Sequence, residues 1–177
     1  GNYLAVVALD EWQAIKAMRS GYESAYWSGG QAIPESGSIH TLLERLPSRR
    51  YPISHEGTPQ DVPHHSYRAR VTKQYLMHGS IGPSCAVAWL KDGTLTVWTH
   101  TQGVYPLRAG IAEMTGLPPE RVRCIHTEGS GCYGHNGADD AAADAARIVR
   151  RLPGTPGRVQ WKREKEILWE PYGWAII

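Results

Sequence analysis

The densest chemical signal in the chain is Gly129-Ser130-Gly131-Cys132-Tyr133-Gly134-His135-Asn136-Gly137. Glycines let a backbone come close to a ligand and take positive φ. Amides presented at a helix start make a ready anion site. A loop of this composition before a helix suits contact with a phosphate or an oxo group. The plainer alternative is a turn whose glycines serve only chain geometry. Gly129, Gly131 and Gly134 also fit the G-x-G-x-x-G dinucleotide fingerprint. Two features weigh against it. Asp139 and Asp140 stand where a pyrophosphate would meet the helix start. No acidic residue ends the next strand about 20 residues on, where a ribose contact is needed. Cys124, Cys132 and His135 raise the case for zinc, yet they form no Cys-x-x-Cys pair and lack an obvious fourth ligand. A buried Cys124 and a loop Cys132 are the simpler reading.

Such a loop needs a strand to deliver it and a helix to leave it. Val122, Cys124 and His126 read as the strand. An alanine-rich helix from about Ala138 to Leu152 follows, stopped by Pro153, Gly154 and Pro156. Ala142, Ala145, Ala146 and Val149 fall on one face. Their small size permits close helix–sheet contact, so Tyr133 is expected to point outward at a rim. Upstream, Ala86 to Leu90 and Thr94 to His100 flank Lys91-Asp92-Gly93, a strong hairpin signal. Pro106 suits the start of a helix containing Leu107, Ile111 and Met114, with Gly116 at its end. Arg158 to Arg163 reads as a final edge strand with a wet face. Trp161, Trp169, Tyr172 and Trp174 suit core or interface packing better than a substrate funnel.

The first part of the chain is less regular. Leu4 to Ala8 is an apolar strand pattern, and Asp10 caps a helix carrying Trp12, Ile15 and Met18. Residues 28 to 37 read as a loop. Ser38 can cap a second helix with Ile39, Leu42, Leu43 and Leu46 inward. Residues 48 to 66 form an irregular connector. Tyr67, Ala69 and Val71 then alternate with polar residues as in a half-buried strand. The order implies an α+β fold, a mixed sheet with helices packed on it.

With 177 residues, the chain is long enough to bury a core. Lys and Arg number 19 against 17 for Asp and Glu, a net charge of +2 that calls for neither nucleic acid nor an anionic membrane. Three cysteines do not make a disulfide framework. No apolar run approaches the roughly 20 residues of a membrane helix. The chain starts at Gly1 and enters an apolar pattern almost at once, which reads as a segment of a longer polypeptide.

Beyond these patterns, Asp92-Gly93-Thr94 through Thr101-Gln102, then Gly116-Leu117-Pro118-Pro119-Glu120-Arg121-Val122 and the glycine loop, resemble the molybdopterin-binding part of the xanthine dehydrogenase and aldehyde oxidase family. The branch most similar is the bacterial one of isoquinoline 1-oxidoreductase and nicotinate dehydrogenase large subunits. Its loop reads as here from Gly131 to Asp140, and Gln160 through Gly173 also fits. The resemblance implies a fragment: residues 1–60 as the end of a small α/β hammerhead-like domain plus connector, and 66–177 as the N-terminal part of the molybdopterin-binding domain. It implies hydroxylation at carbon of an N-heteroaromatic or aldehyde, with oxygen from water. It also implies a molybdopterin cofactor, in the cytosine dinucleotide form, and an iron–sulfur partner subunit that takes the electrons. The cofactor carries that chemistry and the protein places it. The residues implied at the cofactor are Gly131, Cys132, Tyr133, Gly134, Gln74 and His78, with no metal ligand and no catalytic residue in this piece. A location in the cytoplasm or the periplasm is compatible with it.

Three departures stand out. The family's molybdenum-contacting Gln falls on Leu76 in an ungapped match through Leu76-Met77-His78, and Gln74 replaces it only with a shift of register. A Glu that often follows the glycine loop is matched by Gly137. The family's catalytic base lies toward the far end of the large polypeptide, outside this chain. The piece alone is therefore expected to be inactive and to hold little cofactor. A non-catalytic binding or scaffold domain that keeps the fold is the alternative.

Overall fold

A computed structural model describes residues 3–30, 39–54, 56–57, 65 and 67–177. Its centre is a four-stranded mixed sheet of order β3-β2-β1-β4. β1 (Cys85–Lys91) and β2 (Thr94–Thr99) make the expected hairpin, with Ala86 opposite Thr99 and Lys91 opposite Thr94. Asp92 (φ 49°) and Gly93 (φ 75°) both sit in the left-handed region. That is the backbone a twisted two-residue hairpin requires. β2 runs parallel to β3 (Val122–His126), and the outer edge of β1 pairs antiparallel with β4 (Gly157–Gln160).

A parallel pair needs a crossover, and α3 (Val104–Thr115) supplies it between β2 and β3. It starts before Pro106, which sits in its first turn where a missing N–H costs nothing. Gly116 ends it at φ 69°, as expected. α4 (Ala138–Val149) packs on β1, β2 and β4. Ala142, Ala145, Ala146 and Val149 are fully buried there. They meet Ala86, Ala88, Leu90, Leu95 and Val97 from the sheet and Ile111 from α3. One helical layer on one sheet face is an α+β architecture, as the pattern implied.

Four expectations need correction. Leu4 to Ala8 forms no strand: Leu4, Val6 and Val7 are exposed, because no sheet edge pairs with their backbone. Tyr67 to Val71 is likewise unpaired and exposed. Pairing starts only at Lys73 and Leu76, which bridge Ile176 and Gly173. α2 (Ile39–Arg45) buries nothing, and Leu42 and Leu46 are exposed. It makes polar contacts to that same strip, His40 to the Lys73 carbonyl and Glu44 to Arg70. The Ser38 cap lies outside the described residues. The last strand stops at Gln160, and Arg163–Trp169 forms a short helix, α5. β4 is an edge strand, as read. Asp10 caps α1 (Glu11–Ser24), accepting from the Gln13 N–H at 2.9 Å.

Candidate functional site

β3 ends at His126, and the chain travels through the glycine loop before α4 begins at Ala138. Three residues in that loop have left-handed backbone: Gly131 (φ 91°), Tyr133 (φ 55°) and Gly134 (φ 145°). Tyr133 lacks the freedom of a glycine, and a non-glycine residue held there stores about 1–3 kcal/mol of strain. Its side chain is 62% exposed, pointing outward as expected. Among the described residues, the N–H groups of Cys132, Tyr133, Gly134 and His135 meet no protein acceptor. A strained, outward turn with free donors can hydrogen-bond an anionic or oxo group.

The loop is pinned from three sides. On the β1 side, the Ser130 carbonyl accepts from the Ile81 N–H at 3.1 Å, and the Ser130 hydroxyl donates to the Gly82 carbonyl at 3.0 Å. At its start, Gly129 lies against the His100 ring, where a Cβ would come within 2.6 Å. Burial pushes the His100 pKa below the ordinary histidine value. That keeps the imidazole neutral, and its Nε2 accepts from the Cys85 N–H at 3.2 Å. Inside the loop, Asn136 donates to the Gly131 carbonyl at 3.0 Å and accepts from the Ala138 N–H at 3.2 Å. It therefore fixes both ends of the exposed turn.

The third side is α5. Glu166 is fully buried. Its carboxylate accepts from the Ser84 N–H at 2.8 Å, the Ser84 hydroxyl at 2.9 Å and the Gly137 N–H at 2.9 Å. One turn later, buried Glu170 accepts from the His78 N–H at 2.6 Å and the Gly79 N–H at 3.4 Å through Oε1. Its Oε2 is buried without a partner. His78 in turn reaches the loop: its Nδ1 lies 2.8 Å from the His135 carbonyl, which only accepts, so Nδ1 carries the proton. The ring packs on Gly134, where an added Cβ would stand 2.1 Å from Cδ2.

The structure thus brings Gly131, Cys132, Tyr133, Gly134 and His78 together, whereas Gln74 does not join them. Gln74 is exposed in the strip between the Lys73 and Leu76 bridges, and no hydrogen bond ties it to the turn. Sequence reasoning missed Ser84, Asn136, Glu166 and Glu170. Asn136 in a glycine loop was a readable turn signal. Glu166 and Glu170 gave none, since alternating charges usually mark a solvated face. Among the described residues, no group of three or more His, Cys, Asp or Glu side chains is placed to hold a metal ion. No helix among them is long and apolar enough to cross a membrane.

Residues 55–172 match the family described as the molybdopterin cofactor-binding domain. The chain is 36% identical over 182 residues to a nicotinate dehydrogenase subunit of Pseudomonas putida, covering 99% of this chain and 15% of that protein. It therefore spans a small part of that relative's length. Among solved structures, quinoline 2-oxidoreductase from Pseudomonas putida 86 is similar with a TM-score of 0.52 and 18% identity, over 60% of this chain and 14% of that one. Reconstituted CO dehydrogenase from Oligotropha carboxidovorans is similar with a TM-score of 0.51 and 19% identity, over 57% of this chain and 13% of that one. At these identities the likeness to solved structures is one of fold.

Proposed function

The chain belongs to the molybdopterin cofactor-binding domain family, and on that premise we propose that it is part of the large subunit of a bacterial hydroxylase of the xanthine dehydrogenase type. In this reading residues 66–177 begin the cofactor domain and 1–60 close a hammerhead-like domain before it. The cofactor, in its cytosine dinucleotide form, lies against Gly131, Cys132, Tyr133 and Gly134. The observation that carries the reading is the turn itself: left-handed backbone, an outward Tyr133 and free N–H donors. Those donors fit a group rich in oxo and phosphate oxygens. When bound, the cofactor supplies two-electron oxidation of a substrate carbon. This chain's share is to hold it: the amides of residues 132–135 offer hydrogen bonds, and His78 braces the turn from behind. An N-heteroaromatic substrate, nicotinate-like in size and charge, accords with the similarity to the nicotinate dehydrogenase relative. An aldehyde is the second candidate, and an iron–sulfur subunit is the electron-accepting partner.

A scaffold that keeps the fold without the chemistry is the rival, and one observation favours it. The position matched to the family's Glu is Gly137, and the Trp161 ring fills the space beside it. Molybdenum content separates the two readings. The full-length subunit, produced with its partner, is expected to hold close to one molybdenum per chain and to oxidise nicotinate, isoquinoline or an aldehyde with an artificial acceptor. Tyr133→Asp puts a negative charge on an exposed side chain of the turn, so the fold should survive while molybdenum falls to near background. Tyr133→Phe should stay loaded. Full loading of Tyr133→Asp would place the cofactor elsewhere.

A further inference from the structure

Glu170 stands apart from every other polar group around the turn. It is 4% exposed, follows α5 as its cap, and faces no Lys or Arg within ion-pair distance among the described residues. One oxygen is used twice, for the His78 and Gly79 N–H groups, and the other is buried with no partner. A buried carboxylate used this way fixes backbone: it sets where residue 78 leaves the chain. Residue 78 then sets the turn, through its Nδ1 on the His135 carbonyl and its ring on Gly134. The path from Glu170 to the exposed turn thus crosses a single side chain.

We propose that Glu170 is a positioning residue for the Tyr133–Gly134 turn, acting through His78, and that it keeps the turn's free donors in the geometry a bound oxyanion needs. The proposal rests on the reading of that turn as the cofactor contact. Only Oε1 does the holding. An amide oxygen can replace it, and an amide nitrogen at the Oε2 position forfeits no existing bond. Glu170→Gln should therefore be nearly silent, whereas Glu170→Ala removes the acceptor and frees His78. A role in bulk stability alone would not single out this turn.

The test uses the full-length subunit freed of cofactor, followed by hydrogen–deuterium exchange and thermal melting. In Glu170→Ala, exchange of the Ile81 and Gly137 N–H groups, the bonded amides that hold the two ends of the loop, should rise about tenfold or more over their wild-type rates, since the brace on the turn between them is lost. Peptides from β1, β2 and α4 should keep their rates. Glu170→Gln should restore the wild-type pattern, and Glu164→Ala, on the exposed side of α5, should not disturb it. Unchanged exchange at Ile81 and Gly137 in Glu170→Ala would overturn the proposal. So would a uniform rise along the whole chain, or a Glu170→Gln variant as loose as Glu170→Ala. The reading beneath it is probed separately with Tyr133→Asp. Should that variant load fully while the exchange pattern holds, the cofactor contact falls and the Glu170 role at the turn stands.

Discussion

Gly137 has no room for a side chain. An added Cβ would lie 2.2 Å from the Trp161 ring, and Trp161 is only 5% exposed. The indole also donates toward Asp144 at 3.4 Å, which ties it to α4. The Glu that the family resemblance puts at this position cannot be restored by one substitution, because the carboxylate would displace a packed ring. Overpacking of this kind costs about 1–3 kcal/mol. Burying a carboxylate without donors adds to it. Gly137→Ala is therefore expected to lose about 1–3 kcal/mol and Gly137→Glu more, both read from urea unfolding midpoints. A Gly137→Glu chain with the parent midpoint would show that Trp161 yields. Gly134 is constrained in a related way. Its φ of 145° and the nearby His78 ring make any side chain costly to the chain itself. That is why the exposed Tyr133, and not Gly134, is the clean probe of the turn.

α5 shows how a short element can govern a site. Seven residues could not hold a helix alone, and Glu166 anchors this one by taking three donors from Ser84 and Gly137. Glu166→Ala would leave those donors buried and unmet, at about 1–3 kcal/mol each before relaxation. A total loss of about 3 kcal/mol or more is expected in urea unfolding. Glu166→Gln, with one accepting oxygen left, should fall between. A loss below about 1 kcal/mol in Glu166→Ala would mean that water replaces the carboxylate, against the packing here. The same element marks the limit of what the sequence disclosed. The β1–β2 hairpin, the Gly116 cap and the alanine face of α4 were legible, because a local pattern decides each of them. The outward Tyr133 was legible from the strand before it and the helix after it. α5 was not, since Arg163-Glu164-Lys165-Glu166 carries no apolar stripe and its anchor at Ser84 lies 82 residues away in sequence. Leu4 to Ala8 misled for the converse reason: an apolar run becomes a strand only where an edge pairs with it. At the site, the glycine loop and His78 were readable, while the carboxylates that fix them depend on tertiary contacts.

On the proposed reading, the molecule as a whole presents one side of a cofactor site. The turn offers donors from a single loop, and α3 and α4 cover one face of the sheet, leaving Val87, Trp89 and Trp98 half-buried on the other. Leu9, Ile53 and Tyr67 are almost wholly exposed. The relative at 36% identity is several times longer, since this chain covers 15% of it. A large anionic cofactor held by one loop loses affinity on two counts. It gains a few hydrogen bonds at about 0.5–1.5 kcal/mol net each, and it remains open to competing water. It also pays the full entropy of association, about 4–15 kcal/mol, against those few contacts. On that sum the 177-residue chain alone is expected to bind the cofactor weakly. Purified by itself, it is expected to hold well under one molybdenum per chain by elemental analysis. With nicotinate, isoquinoline or simple aldehydes and an artificial electron acceptor, it should show no turnover above a heat-treated control. The full-length subunit with its partner should regain both. A lone chain carrying close to one molybdenum would mean that the Gly131–Gly134 turn grips the cofactor without help, and turnover by that chain would mean that the catalytic base lies within these residues.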